Sequence, residues 1–292
     1  MMDFAFLSQP VQVRVWENMG GVFNMDSVHM DYSALDRPEV LHLLFHPRSE
    51  WHASISTTPA RDELIDVDPG VVVGARFHMT SALGPNILFF HGNGEIVADY
   101  DDLGPVYNRM GINFLAVDYR GYGRSTGHPT VGHMMRDCHA ILAFVRNWLR
   151  NNGHNGPLVV MGRSLGSASA LELAAAHPAE VEGLIVESGF AYAGPLLRRL
   201  GIDLSPSDFT EQQGFANLDK IRGFSKPVLI IHAEHDHIIP FEDAQALYDA
   251  CPSANKTLLK IAGADHNDIF ARGLTQYLAA ISAFNGQLGK DQ

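Results

Sequence analysis

The chain has 292 residues, 46% of them hydrophobic, and its 33 acidic and 21 basic residues give a formal charge of −12. This charge would repel phosphate backbones, so no nucleic-acid partner is expected. Two cysteines are too few for a disulfide framework, and no apolar run approaches the roughly 18 residues of a membrane span. We expect a cytoplasmic protein without integral membrane association, built on one large α/β domain and compatible with a homo-oligomer.

The first predicted element is a short helix in LDRPEVLHLLFH, with Asp36 as its cap and Pro38 in its first turn. DELIDV and VVVGARFHM then flank Asp-Pro-Gly and predict an antiparallel hairpin. Further apolar runs follow, most of them without alternation, which is typical of parallel strands covered on both faces. These runs are NILFF (86–90), NFLAVDY (113–119), LVVM (158–161), VEGLIVE (181–187), PVLIIHA (227–233) and KTLLKIAG (256–263).

Helical patterns lie between these runs, so the chain from about residue 63 has the rhythm of parallel strands joined by crossover helices. The predicted helices span 97–109, 131–151, 165–176, 242–250 and 267–284. Two segments interrupt the rhythm. Residues 1–62 are predicted to be an N-terminal extension packed on the body, and residues 191–225 a small lid or an ordinary surface excursion. The core is expected to span 63–190 and 226–292.

Two segments fit Gly-x-Ser-x-Gly, a pattern that can mark an acyl-transferring serine: GRSTG at 123–127 and GRSLG at 162–166. The second lies between the strand LVVM and the helical SASALELAAA, which places Ser164 at a sharp strand-to-helix turn. Gly162 and Gly166 are then expected to leave room for neighbouring backbone. The first lies in a Gly-rich stretch closed by Pro129, so Ser125 is predicted to be a loop hydroxyl.

A serine nucleophile needs a base, and the base needs an orienting acid. Both are expected at the ends of later strands. Asp236 follows PVLIIHA and His266 follows KTLLKIAG, which produces the order Ser164, Asp236, His266. Glu187, at the end of VEGLIVE, is a rival for the acid. His91 is a weaker alternative for the base.

The motifs HGNGE, DYRGYGRS, GRSLGSASA, EHDHIIP and GADHNDI resemble the signature stretches of the α/β-hydrolase superfamily, in that family's order, from about residue 63 to 285. The resemblance implies an α/β-hydrolase fold: a mostly parallel central sheet with an antiparallel N-terminal hairpin, helices on both faces and a small lid insertion. It also implies an oxyanion hole formed by the amides of Leu165 and Asn93, with Gly94 next to them, and structural roles for His91 and Asp118.

Within the superfamily the chain is most similar to short-lid bacterial esterase-like hydrolases and to protein depalmitoylase-like hydrolases. We therefore predict a serine hydrolase that cleaves carboxylic esters or thioesters of a small-molecule or acyl substrate through an acyl-enzyme. A serine peptidase or amidase and a non-catalytic binding protein of the same fold remain as alternatives.

The prediction includes no cofactor and no metal. HAEHDH at 232–237 is rich in metal-ligating residue types, but alternation along a strand lets only His232, Glu234 and Asp236 converge. A catalytic zinc site also needs an orienting second shell. The loop DYRGYGRS follows the carboxyl end of a strand, so Tyr119, Arg120 or Tyr122 is a candidate to line a cleft.

Overall fold

The computed structural model describes residues 31–50, 60–202 and 209–288. Within these residues eight strands form one sheet in the order β1-β2-β4-β3-β5-β6-β7-β8. The strands are β1 (Arg61–Asp68), β2 (Val71–His78), β3 (Asn86–Phe90), β4 (Asn113–Val117), β5 (Leu158–Arg163), β6 (Gly183–Glu187), β7 (Val228–Ala233) and β8 (Lys256–Ile261).

The predicted mostly parallel sheet with an antiparallel hairpin is confirmed. β1 pairs antiparallel with β2, and β2 pairs antiparallel with β4. All other neighbours are parallel. Every residue of β3 to β7 is buried, because helices cover both faces of these strands. β8 differs, since it lies at the edge of the sheet and exposes part of its length.

The apolar side chains form two clusters, one on each face of the sheet. The larger cluster includes the buried side of the long helix at 131–151, as its amphipathic pattern predicts. The helices are α1 (Pro38–Leu44), α2 (Leu103–Arg109), α3 (Val131–Asn151), α4 (Ser167–Ala176), α5 (Ala193–Arg199), α6 (Asn217–Arg222), α7 (Phe241–Ala250) and α8 (Ile269–Asn285).

The predicted helix at 97–109 is wrong as one element. The chain forms a 3₁₀ turn at Val97–Tyr100, and α2 begins only at Leu103. The Asp99 carboxylate accepts a hydrogen bond from the amide of Ile96 and closes the short turn locally. This bond caps the start of the turn. Pro105 has no amide hydrogen to donate to the carbonyl of Asp101, so a continuous helix is broken there, and Pro105 is tolerated only in the first turn of α2.

The predicted capping role of Asp36 in α1 is also wrong. The N-cap position of α1 is Arg37, and no side chain caps it. The Asp36 carboxylate instead accepts hydrogen bonds from the amides of Val131 and Gly132, the first two residues of α3. A helix start has unpaired amides and a positive dipole end, so a carboxylate is stabilised there even when it comes from a distant part of the chain.

Residues 31–50 pack on the body through Leu35, Val40 and Leu44, which are almost fully buried. The prediction for residues 1–30 and 51–59 lies outside the described residues. Between β6 and β7 the chain forms α5, a 3₁₀ turn at Glu211–Gln213, and α6. The division into extension, core and lid stays a prediction. Among the described helices, none has a stretch apolar and long enough to pass through a bilayer.

Candidate active site

Ser164 occupies a strained turn directly after β5. Its φ is +51°, a left-handed conformation that costs a non-glycine residue about 1–3 kcal/mol. A 3₁₀ turn at Ser164–Gly166 leads into α4. The Ser164 carbonyl accepts a hydrogen bond from Ser167 Oγ at 2.6 Å, which closes the turn. The strand-to-helix setting predicted for GRSLG is therefore present.

The two glycines of GRSLG allow this turn. A Cβ at Gly162 would lie 2.2 Å from the carbonyl oxygen of Gly166, and a Cβ at Gly166 would lie 2.2 Å from that of Phe90. Both contacts are with backbone, which cannot move aside without disturbing the sheet or the helix. The predicted steric role of both glycines is confirmed.

His266 and Asp236 reach Ser164 from two other strand ends. His266 lies between β8 and α8, and its Nε2 is 3.0 Å from Ser164 Oγ. Its Nδ1 is 2.7 Å from Asp236 Oδ2. Asp236 lies after β7, and its other oxygen accepts hydrogen bonds from the amides of Ile238 and Ile239. The structure thus brings together the three side chains that the sequence analysis selected.

The pKa values of the two rival acids, Asp236 and Glu187, are shifted in opposite directions. Burial raises the pKa of Asp236, but the hydrogen bond and charge of His266 outweigh burial, so the net pKa is below its usual value. Burial also raises the pKa of Glu187, and there the opposing effect of Arg163 is too small, so the net pKa is raised. Glu187 accepts from Tyr277 Oη at 2.7 Å and pairs with Arg163. The carboxylate in contact with the imidazole is that of Asp236.

The first serine motif forms a loop, as the sequence predicts. Ser125 Oγ accepts a hydrogen bond from the amide of Gly74 on β2 at 2.9 Å. Gly123 and Gly127 have positive φ values of +55° and +76°. No described imidazole is hydrogen-bonded to Ser125, whose hydroxyl instead holds the loop against β2.

The loop after β3 carries Asn93 and the turn after β5 carries Leu165, the two residues predicted to form the oxyanion hole. Asn93 and Leu165 both line the pocket that contains Ser164 and His266. The side chain of Asn93 is held in place, because its Oδ1 accepts hydrogen bonds from Tyr122 Oη and from the amide of His46, each at 2.8 Å. The assignment of the amides of Asn93 and Leu165 as oxyanion donors stays a prediction.

His91 is fully buried beneath this loop. Its Nε2 lies 3.2 Å from Asp118 Oδ1, and its Nδ1 lies 2.8 Å from the carbonyl oxygen of Gly92. Asp118 also accepts from the amide of Val97 at 2.9 Å. His91 and Asp118 therefore tie β3, β4 and the following turn together, which agrees with the structural roles that the resemblance implies.

Tyr119 and Arg120, two of the three residues placed near a cleft by the sequence, line a small cavity against α3 and not the pocket at Ser164. Tyr119 and Tyr122 are buried, and Tyr119 Oη donates to the His91 carbonyl at 2.7 Å. Arg120 forms a two-point ion pair with Asp137 of α3. These polar groups find partners inside the protein because the loop folds back over β4 and α3.

Arg163 is a site residue that the sequence analysis missed. Its guanidinium donates to Glu95, to the carbonyl of His266 at 2.8 Å and to Asn267, and its Nε pairs with Glu187. Burial opposes its charge, yet these carboxylates raise the pKa of Arg163 above its usual value. The signal in the sequence was an arginine at the end of an apolar strand, directly before Ser164. A charge buried at such a position needs partners, which predicts ion pairs near the site.

The pocket at Ser164 has a volume of about 310 Å³. Its apolar wall comes from α1, α5 and the loop after β7, and its polar side includes the reacting groups. The apolar lining residues are Leu44, Leu165, Leu196, Leu200 and Ile238, and the polar ones are His46, Asn93, Glu95, Arg163, Ser164, His266 and Asn267. The helix of the predicted lid, α5, therefore contributes directly to the pocket.

The histidine-rich segment at 232–237 is engaged in the protein. His232 Nε2 lies 2.8 Å from the carbonyl oxygen of Ile239, and 3.5 Å from Asp236 Oδ2. Glu234 accepts from the amide of Gly263 at 2.9 Å. Over the described ranges, no group of three or more potential ligands could hold a metal ion.

Comparisons with known proteins support the fold. The serine aminopeptidase family S33 matches residues 84–202, fewer than half of the chain. Human alpha/beta hydrolase domain-containing protein 17B is 32% identical over 206 residues, which are 69% of this chain and 66% of that protein. The chain belongs to the α/β-hydrolase superfamily. It spans just under two thirds of that curated relative.

Solved structures share the fold of this α/β-hydrolase. An esterase of Pyrococcus furiosus superposes with a TM-score of 0.67 at 18% identity and covers 83% of this chain and 99% of its own. A monoglyceride lipase variant of Saccharomyces cerevisiae superposes with a TM-score of 0.64 at 20% identity and covers 83% of this chain and 100% of its own. At 18% and 20% identity, these similarities establish only that the fold is shared.

Proposed function

We propose that this α/β-hydrolase is a serine hydrolase that cleaves carboxylic esters or thioesters through an acyl-enzyme. The observation that carries the proposal is the hydrogen-bonded series from Ser164 Oγ through the His266 imidazole to Asp236. A serine hydroxyl is inert at neutral pH, and this series supplies both the base and the group that orients it.

In the proposed mechanism Ser164 Oγ attacks the substrate carbonyl while His266 Nε2 takes its proton. Amides of Leu165 and Asn93 stabilise the tetrahedral oxyanion, and each such donor lowers the activation barrier by about 3–4 kcal/mol. His266 then returns the proton to the leaving alcohol or thiol, which leaves an acyl-Ser164. Water attacks this ester in the same way and releases the acid. No cofactor takes part in these steps.

The pocket supports an acyl group of modest size. A volume of about 310 Å³ is at the small end of the usual range for ligand pockets, roughly 300–1,000 Å³. Leu44, Leu196 and Ile238 present an apolar wall to whatever carbonyl lies at Ser164. An uncharged acyl chain would bury apolar area against this wall.

A serine peptidase or amidase is the second candidate, because the matching family is described as serine aminopeptidase. The same mechanism cleaves an amide when the imidazole protonates the leaving nitrogen. An aminopeptidase would use a carboxylate to bind the ammonium group of its substrate. Glu95 is the carboxylate that lines the pocket, and Arg163 already pairs with it, which argues against aminopeptidase activity.

A panel of substrates that share one acyl group tests the reaction class. We expect hydrolysis of p-nitrophenyl butyrate and of a butyryl thioester, with little or none of butyryl p-nitroanilide or alanyl p-nitroanilide. Release of nitrophenol, thiol or nitroaniline is measured, with the Ser164→Ala variant as the blank. Cleavage of the anilides alone would replace the esterase proposal by the amidase one. Turnover of none of them would favour a non-catalytic binding protein.

Activity is expected to fall as the solution is made acidic. The lowered pKa of Asp236 keeps this carboxylate charged in weakly acidic solution, so its protonation does not cause the first loss. The proton that removes activity is the one that occupies Nε2 of His266, because a protonated imidazole cannot accept the proton of Ser164. The profile of kcat/KM against pH measures this. A rate that stays flat down to about pH 4 would remove His266 from its proposed role.

A further inference from the structure

The chain before the hydrolase core reaches the active site as a segment fixed at both ends. At its start Asp36 accepts hydrogen bonds from two amides of α3, and Leu35 and Val40 are fully buried. At its end Glu50 forms an ion pair with the buried Arg76 of β2 at 2.9 Å. Residues 44–48, here called the clamp segment, lie between these anchors.

The GRSTG loop holds the clamp segment from outside. The amide of Gly123 donates to the carbonyl of Arg48 at 2.9 Å, and the amide of Glu50 donates to the carbonyl of Gly123 at 3.1 Å. Ser49 and Gly123 thus form a parallel β-bridge. The first serine motif therefore fixes residues 48–50 by backbone hydrogen bonds. This places the clamp segment against the loop after β3.

His46 binds the side chain of Asn93 at both ends of its amide group. The backbone amide of His46 donates to Asn93 Oδ1 at 2.8 Å, and Asn93 Nδ2 lies 2.8 Å from His46 Nδ1. The same His46 amide lies 2.9 Å from Tyr122 Oη, which in turn donates to Asn93 Oδ1. Asn93 therefore cannot rotate without the loss of several hydrogen bonds.

Arg48 binds the next residue of the same loop. Its Nε donates to the carbonyl of Gly94 at 2.8 Å, and its Nη2 pairs with Asp99 at the following 3₁₀ turn. The clamp segment thus contacts the loop at Asn93, Gly94 and Asp99. These contacts come from a part of the chain outside the region that matches the hydrolase family, residues 84–202.

The loop needs such support because glycines flank Asn93. Gly94 has a φ of +77°, and a Cβ at Gly92 would lie 2.8 Å from the Arg163 guanidinium. Glycine has the largest backbone freedom of any residue, so a Gly-Asn-Gly loop loses much entropy when it is fixed. An oxyanion donor stabilises the transition state only if it is fixed before the reaction.

We propose that the clamp segment is part of the catalytic machinery. His46 and Arg48 are positioning residues: by fixing the side chain of Asn93 and the carbonyl of Gly94, they hold the backbone N–H of Asn93 toward the oxyanion. This inference rests on the proposed function for its effect on turnover. The contact itself does not depend on that function. Leu44, at the start of the clamp segment, also lines the apolar wall, so the segment shapes the pocket as well.

The test compares His46→Ala with His46→Asn, whose carbonyl oxygen can replace Nδ1 as the acceptor for Asn93 Nδ2. His42→Ala is the matched control, because His42 is an exposed residue of α1 that does not line the pocket. Two quantities are measured on the full chain: kcat and KM for p-nitrophenyl butyrate, and hydrogen–deuterium exchange of a peptide spanning 91–97. Arg48→Ala provides a second route to the same loop.

We expect His46→Ala to lower kcat about tenfold with KM within about twofold, because a loosened donor loses part of the roughly 10²- to 10³-fold that a deleted one loses. Exchange at 91–97 should be faster in His46→Ala and Arg48→Ala, and His46→Asn should restore both readouts. Unchanged exchange in His46→Ala and Arg48→Ala overturns the proposal, as does equal loss in His46→Ala and His46→Asn. If the wild-type chain hydrolyses no ester, the proposed function fails. The hydrogen–deuterium exchange at 91–97 then tests by itself whether His46 and Arg48 hold the loop.

Discussion

The Ser164→Ala variant is expected to lose fluorophosphonate labelling completely and to lower kcat for ester hydrolysis by about 10⁴-fold or more. The reason is that the variant lacks the oxygen that lies 3.0 Å from the His266 imidazole, and no other described hydroxyl is hydrogen-bonded to that nitrogen. Labelling is followed by gel fluorescence or intact mass, and kcat by nitrophenol release. The substitution removes one atom at a left-handed position, so the thermal unfolding midpoint is measured in parallel.

Ser125→Ala is the matched control, since Ser125 occupies the same place in the other GRSxG motif. It should keep its labelling, because its Oγ only accepts a hydrogen bond from Gly74. A loss of labelling in Ser125→Ala together with full labelling in Ser164→Ala would reverse the assignment of the two motifs.

The Asp236→Asn variant is expected to lower kcat about 10⁴-fold while KM changes little. An amide can donate to the imidazole, so it favours the tautomer whose proton lies on Nε2, where it blocks proton acceptance from Ser164. The wild-type carboxylate, with its lowered pKa, favours the proton on Nδ1 instead. Initial rates at slightly alkaline pH measure the effect without competing protonation of the base.

Glu187→Gln makes the same change in the rival acid. We expect a reduction in kcat of less than about tenfold, because Glu187 contacts Tyr277 and Arg163 and not the imidazole. Its larger effect should be on stability, since a buried charge of Arg163 loses a partner. A larger loss of kcat in Glu187→Gln than in Asp236→Asn would make Glu187 the acid of the site.

Arg163 links the elements that carry the proposed catalytic groups. It follows Gly162 on β5, binds Glu95 of the oxyanion loop, and binds the carbonyl of His266. Glu95 in turn accepts from the amide of Gly92 at 2.7 Å and from Tyr100 Oη at 2.6 Å. The loop with Asn93 is therefore held from inside by the Arg163–Glu95 pair and from outside by the clamp segment. Such support on both sides is what preorganisation of an oxyanion hole requires.

The two GRSxG motifs have separate tasks that follow from their surroundings. GRSLG lies between a buried strand and an Ala-rich helix, and its glycines let backbone segments approach within contact distance. GRSTG lies in a loop whose Gly123 pairs with Ser49 and whose Ser125 binds β2. The same five-residue pattern thus forms the strand-to-helix turn of the proposed nucleophile in one setting and anchors the clamp segment in the other.

Local patterns in the sequence determined much of this protein. Apolar runs without alternation predicted β3 to β7. The residues that follow β5, β7 and β8 predicted Ser164, Asp236 and His266, which the structure places within hydrogen-bonding distance of one another. The strand predictions succeed because burial and strand-to-helix sterics act between residues close in sequence. The break at 97–109 was missed because the helical pattern was read across Pro105, which cannot lie inside a continuous helix.

Only the tertiary structure decided which carboxylate contacts the imidazole, where Asp36 binds, and that Arg163, His46 and Arg48 bind the loop after β3. It also decided that Tyr122 and Arg120 are buried. Each of these outcomes depends on contacts between residues that lie 17 to 104 positions apart along the chain. Such contacts are set by how the sheet and helices pack, and periodicity along the chain carries no information about them.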